Sequence, residues 1–208
     1  MKLVDLKVHE FMTVLGSDEP APGGGSAAAL SATMGISLVK MVSELTKGKK
    51  KYAEFETLTD EIMSEAIRLQ DELLESIDKD TEAFNEVSAV FSMPKETDAD
   101  KAARREAMQT ALQGAAKSPF NMMVLMVAAL KVTEKGVGKS NANAASDLGV
   151  AALNLKAGLQ GAWLNVLINL SSIKDEAFVK TYREKGEALL EEGCQIADRV
   201  YVEILKQV

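Results

Sequence analysis

From about residue 53 to residue 91 the chain runs without proline or glycine, and Ile62, Ala66, Leu69, Leu73, Ile77, Phe84, Val87 and Phe91 recur at intervals of three, four or seven. That period lines one face of an α-helix, so the pattern predicts a single very long helix. Around it the punctuation predicts more helices and almost no strand. Asp5 is placed to cap a first helix ending at Gly16, and Ser26 a second that runs to about Thr46 before Gly48. After the Met93-Pro94 break, Asp98 opens a charged helix to about Ala116, and Ser118-Pro119 opens a separate apolar one closed by Gly136. A small-residue helix is expected over 144–169, and a last one from Asp175 to about Lys206. The fold class is all-α, one domain over 1–208, an elongated bundle.

Length then bears on assembly. A globule of 208 residues has a diameter of about 43 Å, whereas a helix of this length extends about 58 Å. The long helix would overhang a compact monomer, and a second copy related by a twofold axis is the simplest cover. The expectation is a homodimer.

Two polar features break the apolar pattern. Asp80 falls on the apolar stripe itself, seven after Leu73 and four before Phe84, so it should be at least partly buried. Burial raises a carboxyl pKa unless donors or cations surround it, which makes Asp80 a candidate general acid or base; otherwise it is a hydrogen-bonded packing aspartate. On the helix over 144–169, Asn154, Gly158, Gly161, Asn165 and Asn169 each fall within about 40° of Asp147 at roughly 100° per residue. Amides alternating with glycines along one stripe suit a flat hydrogen-bonding ligand, or a close helix crossing. A third candidate is Pro22-Gly23-Gly24-Gly25-Ser26. Backbone N–H groups at the start of a helix favour an anion or a carbonyl.

Charge narrows the partners. A net charge of -7 repels a phosphate backbone, which argues against nucleic acid. The uncharged run over 20–39 is interrupted by Pro22, three glycines and hydroxyls, so no membrane span is expected. The charged first ten residues and the single Cys194 point to a reducing cytoplasm. Lys47, Lys49, Lys50 and Lys51 form a local basic cluster, either a solvated helix entry or a landing site for a small polyanion. Gly138-Lys139-Ser140 lacks the glycine and strand that a P-loop needs. With one histidine, His9, and one cysteine, zinc and Ser-His-Asp chemistry lack parts. Met122, Met123 and Met126 read as core.

In order along the chain, Pro22-Gly23-Gly24-Gly25-Ser26, Gly48-Lys49-Lys50-Lys51-Tyr52, Asp80 with Ala83-Phe84-Asn85, and Asn141-Ala142-Asn143-Ala144-Ala145-Ser146-Asp147 resemble the cyclodeaminase/cyclohydrolase family of folate enzymes. Asn165 to Leu170 extends the resemblance, and Ala142 departs from it where proline is expected. The resemblance implies a dimeric helical enzyme acting on a tetrahydrofolate derivative, with or without a polyglutamate tail, needing no metal and no cofactor beyond that folate. It implies catalytic roles for Asp80 and Asp147, as acid/base and charge stabiliser in either order. Substrate contacts would come from Gly23, Gly24, Gly25 and Ser26, from Asn141, Asn143, Ser146, Asn154 and Asn165, and from Lys49 and Lys50 toward the tail. Since no formiminotransferase segment accompanies this sequence, the expected reaction is hydrolysis of 5,10-methenyltetrahydrofolate to 10-formyltetrahydrofolate. The alternative is cyclodeamination of formiminotetrahydrofolate. A helical interaction scaffold would instead have both aspartates paired or exposed and no cavity beside Gly23 to Gly25.

Overall fold

A computed structural model describes residues 2–208. Six α-helices follow in order: α1 (Val8–Leu15), α2 (Gly24–Thr46), α3 (Glu56–Phe91), α4 (Asp98–Gly136), α5 (Ala145–Leu170) and α6 (Glu176–Leu205). Short 3-10 turns at Leu3–Asp5, Lys50–Phe55 and Ala142–Ala144 join them, and there is no strand among the described residues. α2 and α5 lie side by side and antiparallel. Gly35 of α2 sits against the Ala151 carbonyl, Gly158 of α5 against the Ala28 carbonyl, and Gly24 against Asn165. Where a side chain would hold the backbones apart, glycine lets them approach. α3 packs beside α2, α6 beside α5, and α4 runs behind them against α3, α5 and α6.

α2 and α4 are each long and apolar enough to span a bilayer by length and composition, yet 56% of each apolar window is buried inside the bundle. Their hydropathy is that of core helices. Ile36, Leu69, Leu73, Met122, Met123, Met126, Leu130, Leu155 and Leu159 fill the interior, and the methionines belong to that core.

Several local expectations are corrected. There are two very long helices rather than one: α3 has 36 residues and α4 has 39. Pro119 does not open a helix; it lies inside α4. A helical proline leaves the carbonyl four residues back without its donor, and here that carbonyl, on Ala115, accepts instead from Nδ2 of Asn169 at 2.9 Å. The helix therefore continues because a side chain on α5 replaces the lost donor. Asp5 caps nothing downstream, since α1 begins after Lys7, whose N–H donates to Glu10 at 2.9 Å. Ser26 is not a cap either. α2 starts earlier, at Gly24, and Ser26 Oγ donates to the Ile77 carbonyl of α3 at 2.8 Å.

The far ends of α3 and α4 reach beyond the main core but lie against each other, with Arg104 Nε donating to the Val90 carbonyl at 3.1 Å, so the overhang of α3 is covered by α4 of the same chain and not by a second copy. Among the described residues, the main core cluster skips from Ile77 to Ala116, and Phe91 is 65% exposed.

Candidate active site

At the N-terminus of α2 the chain enters through Pro20 to Gly23 and turns directly into helix, leaving the first N–H groups without intrahelical partners. The group that meets them comes from α3. The Asp80 carboxylate accepts from the Ser26 backbone N–H and lies 3.4 Å from Ser26 Oγ. It takes the place that an N-capping side chain would hold. Gly25 is required there because a Cβ would overlap the Asp80 carboxylate.

Asp80 is half-buried on the inner side of α3. Burial pushes its pKa above the ordinary carboxylate value, and the Ser26 backbone and hydroxyl bonds pull it only part of the way back. No cation forms an ion pair with it among the described residues. A desolvated carboxylate without a counter-charge can gain or lose a proton nearer neutral pH, and it attracts a cationic ligand.

Beside it lies a cavity of about 290 Å³, walled by Gly23 and Gly24, by Asp80, Phe84 and Val87, and by Asn165, Ile168 and Asn169. Asn165 uses its Nδ2 on the Gly161 carbonyl at 2.8 Å, which turns the amide toward Gly24. Phe84, 39% exposed, offers a ring face. The hollow thus combines one acid, amides and an aromatic wall, a set able to hold a flat heterocycle and move a proton on it. A scaffold would have lacked this hollow.

The chain matches the family model described as formiminotransferase-cyclodeaminase over residues 7–188. It belongs to that family. The resemblance drawn from the motifs is borne out. The methenyltetrahydrofolate cyclohydrolase of Methylorubrum extorquens is 38% identical, over 97% of this chain and 97% of that protein. The formimidoyltransferase-cyclodeaminase of Gallus gallus is 32% identical over 93% of this chain, but this chain covers only 36% of that longer protein. A solved formiminotetrahydrofolate cyclodeaminase from Thermotoga maritima superposes with a TM-score of 0.81 at 30% identity, covering 97% of this family member and 95% of that chain.

The site residues expected from sequence fall into two groups. Gly23, Gly24, Gly25, Ser26, Asp80 and Asn165 come together around the hollow. Lys49, Lys50, Asn141, Asn143, Ser146 and Asp147 gather at the opposite ends of α2 and α5, because α5 begins where α2 finishes. Asp147 is eighteen residues before Asn165 on α5, hence about 27 Å away along the helix. Within one subunit the two acids do not share a hollow: the wheel aligned them in angle but not in height. Asn154 lies between the groups, its Nδ2 bonded to the Val150 carbonyl at 2.9 Å.

Asn141 clamps the end of α2. It is buried, its Nδ2 donates to the Leu45 carbonyl at 3.1 Å, and its Oδ1 accepts from the Asn143 N–H. Leu45 offers one of the carbonyls left free at the end of α2, and Ala142 N–H donates to Tyr52 Oη nearby. Asn143, Ser146, Lys49 and Lys50 remain exposed, and Lys47 pairs with Asp60 at 2.7 Å.

The sequence reading left out of the site Phe84 and Thr81, the latter lining the hollow with its hydroxyl 3.4 Å from Ser26 Oγ, and did not carry Asn169 into it. Ala83-Phe84-Asn85 had been a family signal, and Pro119 was the clue to Asn169, since its orphaned carbonyl needed a donor. A wider groove of about 570 Å³ between α3 and α4 is lined by Lys79, Glu82, Glu86 and Lys117. These four stand exposed in water, where charge is least able to act on a substrate.

Proposed function

We propose that this family member hydrolyses 5,10-methenyltetrahydrofolate to 10-formyltetrahydrofolate, with Asp80 as the proton-transfer group. It is a folate one-carbon enzyme acting at the bridge between N5 and N10. What carries the choice of residue is the Asp80 carboxylate, half-buried and without a counter-charge, opening on a hollow with amides and an aromatic wall. The near full-length match to a methenyltetrahydrofolate cyclohydrolase favours hydrolysis.

The substrate is a cation delocalised over N5, the bridging carbon and N10, and an ionised Asp80 at the hollow would attract it. Water attacks the bridging carbon, and Asp80 takes one of its protons as the new C–O bond forms. The resulting tetrahedral carbon still bears a hydroxyl. Its bond to N5 then breaks, with N5 receiving a proton from Asp80 and the hydroxyl losing its own to solvent. The carbon becomes the formyl group on N10, and one proton is released overall. Asn165, turned toward Gly24 by its bond to Gly161, and the ring of Phe84 orient the heterocycle for this attack.

The second reading is cyclodeamination of formiminotetrahydrofolate, favoured by the structural match to the Thermotoga maritima cyclodeaminase. It requires a proton at the departing ammonia, which a carboxylic acid in the same place would supply. The two are separated by offering each folate to the purified protein. Loss of the methenyl absorbance faster than in buffer is the expected result. Ammonia release from formiminotetrahydrofolate without methenyl loss would transfer the assignment to the second reading.

A further inference from the structure

The Ser26 hydroxyl has a single hydrogen and more than one neighbour able to take it. Its Oγ donates to the Ile77 carbonyl at 2.8 Å and stands 3.4 Å from both Asp80 Oδ2 and Thr81 Oγ1. The Ile77 carbonyl does not depend on that hydrogen, because α3 already brings it the Thr81 N–H four residues on. The two longer contacts are too long to be good hydrogen bonds as they stand. Ser26 is fully buried and forms no part of the wall of the hollow. The serine expected to touch the substrate therefore touches the acid instead, and Thr81 is the hydroxyl that reaches the wall.

The arrangement observed suits one protonation state of Asp80. A serine hydroxyl donates once and accepts twice. With its hydrogen on Ile77, Ser26 turns lone pairs toward Asp80, and a protonated Asp80 can place its own O–H on them. An ionised Asp80 would meet those lone pairs with negative charge, and the repulsion is removed when Ser26 turns its hydrogen from Ile77 to Oδ2. Thr81 can then donate to Ser26 Oγ from the edge of the hollow. The ionisable groups on the surrounding elements are engaged elsewhere or stand off. α2 carries none before Lys40, and α5 none after Lys156. On α3, Asp78 takes the Leu3 N–H, Lys79 pairs with Glu75, and Glu82 lies in the outer groove. On α4, Lys117 lies over the Phe178 ring, and Asp18 and Glu19 of the entry loop are exposed.

We infer that Ser26 is a positioning residue for Asp80, turning its one hydrogen between the Ile77 carbonyl and the Asp80 carboxylate as that carboxyl gains and loses a proton, with Thr81 backing the second position. For its use in turnover the inference rests on the proposed proton transfer by Asp80. When Asp80 takes a proton from the attacking water, Ser26 releases Oδ2 and returns to Ile77. When Asp80 delivers that proton to N5, Ser26 swings back. Ser26 itself neither gains nor loses a proton, so the proton count of the reaction is unchanged. Both states of the acid thus keep a partner at a buried position, and the carboxyl stays fixed against Gly25 and the Ser26 N–H through the cycle. Without the second position, the state left unpartnered would be costly to form and the step that forms it slower.

The test reads the carboxyl directly and then the chemistry. With the aspartate carboxyl carbons isotopically labelled for NMR, the Asp80 signal is identified by its loss in Asp80→Asn and followed through a titration. Removing a donor to the ionised form favours the protonated one, so in Ser26→Ala the carboxyl is expected to titrate at higher pH than in wild type. Thr81→Val, which leaves the buried serine in place, should move it the same way by less, and Thr81→Ser should return it. Where Ser26→Ala fails to fold, the Thr81→Val titration decides. Turnover of 5,10-methenyltetrahydrofolate by Ser26→Ala should fall about tenfold on the acid limb and recover as the pH climbs, with KM unchanged. A lower melting temperature with the titration unmoved would make Ser26 a packing residue and overturn the inference. A raised KM with the acid limb unmoved would make it a substrate contact and do the same. If the titration moves but the protein turns over neither folate, the folate reading fails and the hydrogen switch stands.

Discussion

Gly25 has no side chain because the Asp80 carboxylate occupies the space where its Cβ would be. The contact joins α2 to α3 where a desolvated acid meets the open start of a helix. Each residue limits what the other can become.

Gly25→Ala should therefore act on chemistry more than on folding. The added methyl forces the Asp80 carboxyl aside by about an ångström, and a displacement of that size can lower turnover about 100-fold. Turnover measured beside far-UV circular dichroism checks this: a folded variant with near-native turnover would show that Asp80 need not sit where it does.

Asp80 should also set the pH behaviour. Burial raises its folded pKa above the unfolded value, so its stabilising contribution is complete below the unfolded pKa and is lost as pH rises through the folded one. Above the folded pKa the ionised carboxylate is a burden on the fold. Asp80→Asn is therefore expected to raise the melting temperature relative to wild type more as the pH climbs, and to lose that advantage below the ordinary ~3.9 of an unfolded aspartate, as calorimetry across the range would record. Turnover by the wild type should rise with pH through a value above the ordinary ~3.9 of aspartate, a limb missing from the variant's residual rate.

Asn169 and Pro119 should be coupled. Asn169→Leu removes the donor to the Ala115 carbonyl and should cost about 1–3 kcal/mol, with each kcal/mol lowering the melting temperature by roughly 2–4 °C in a domain of this size. In a Pro119→Ala background the residue at 119 regains its N–H for Ala115, so the same change should cost less. Additive melting shifts in the double variant would contradict the assignment.

Gly158→Ala tests the α2–α5 crossing. Its Cβ would lie 2.8 Å from the Ala28 carbonyl, and since backbone cannot yield as a side chain can, the expected loss is about 1–3 kcal/mol. Denaturant unfolding would measure it. Because Asn165 follows Gly158 by two turns on α5 and meets Gly24 across the same helix pair, the variant should also loosen Asn165 against Gly24 and reduce turnover.

Much of this was legible in the chain, in a graded way. The stripe from Ile62 to Ile77 located α3 and pointed to Asp80 as an inward acid, because helical period is a local property, but it missed Asp78, whose carboxylate is drawn in by the Leu3 N–H, and it placed inside Phe84 and Phe91, which stand exposed. Caps were read less well. Ser26 has the right chemistry for an N-cap, but Asp80, distant in sequence, satisfies that helix start and leaves Ser26 free to bond Ile77. Pro119 read as a helix start because the donor that rescues it, Asn169, comes from another helix. The stripe of Asp147, Asn154 and Asn165 was right in angle, yet a helical wheel discards height, and height is what separates Asp147 from Asp80. The family motifs survived these errors because they register order along the chain, which does not depend on knowing which end of a helix each motif reaches.

The central claim is that Asp80 is the reacting acid at the hollow. Its most direct test is the turnover of 5,10-methenyltetrahydrofolate by Asp80→Asn protein whose fold and melting temperature have been verified, measured against wild type in the same buffer. The expected result is a fall of about 10²–10⁴-fold, the usual share of a positioned acid or base. A folded variant that opens the methenyl bridge at close to the wild-type rate would contradict the account.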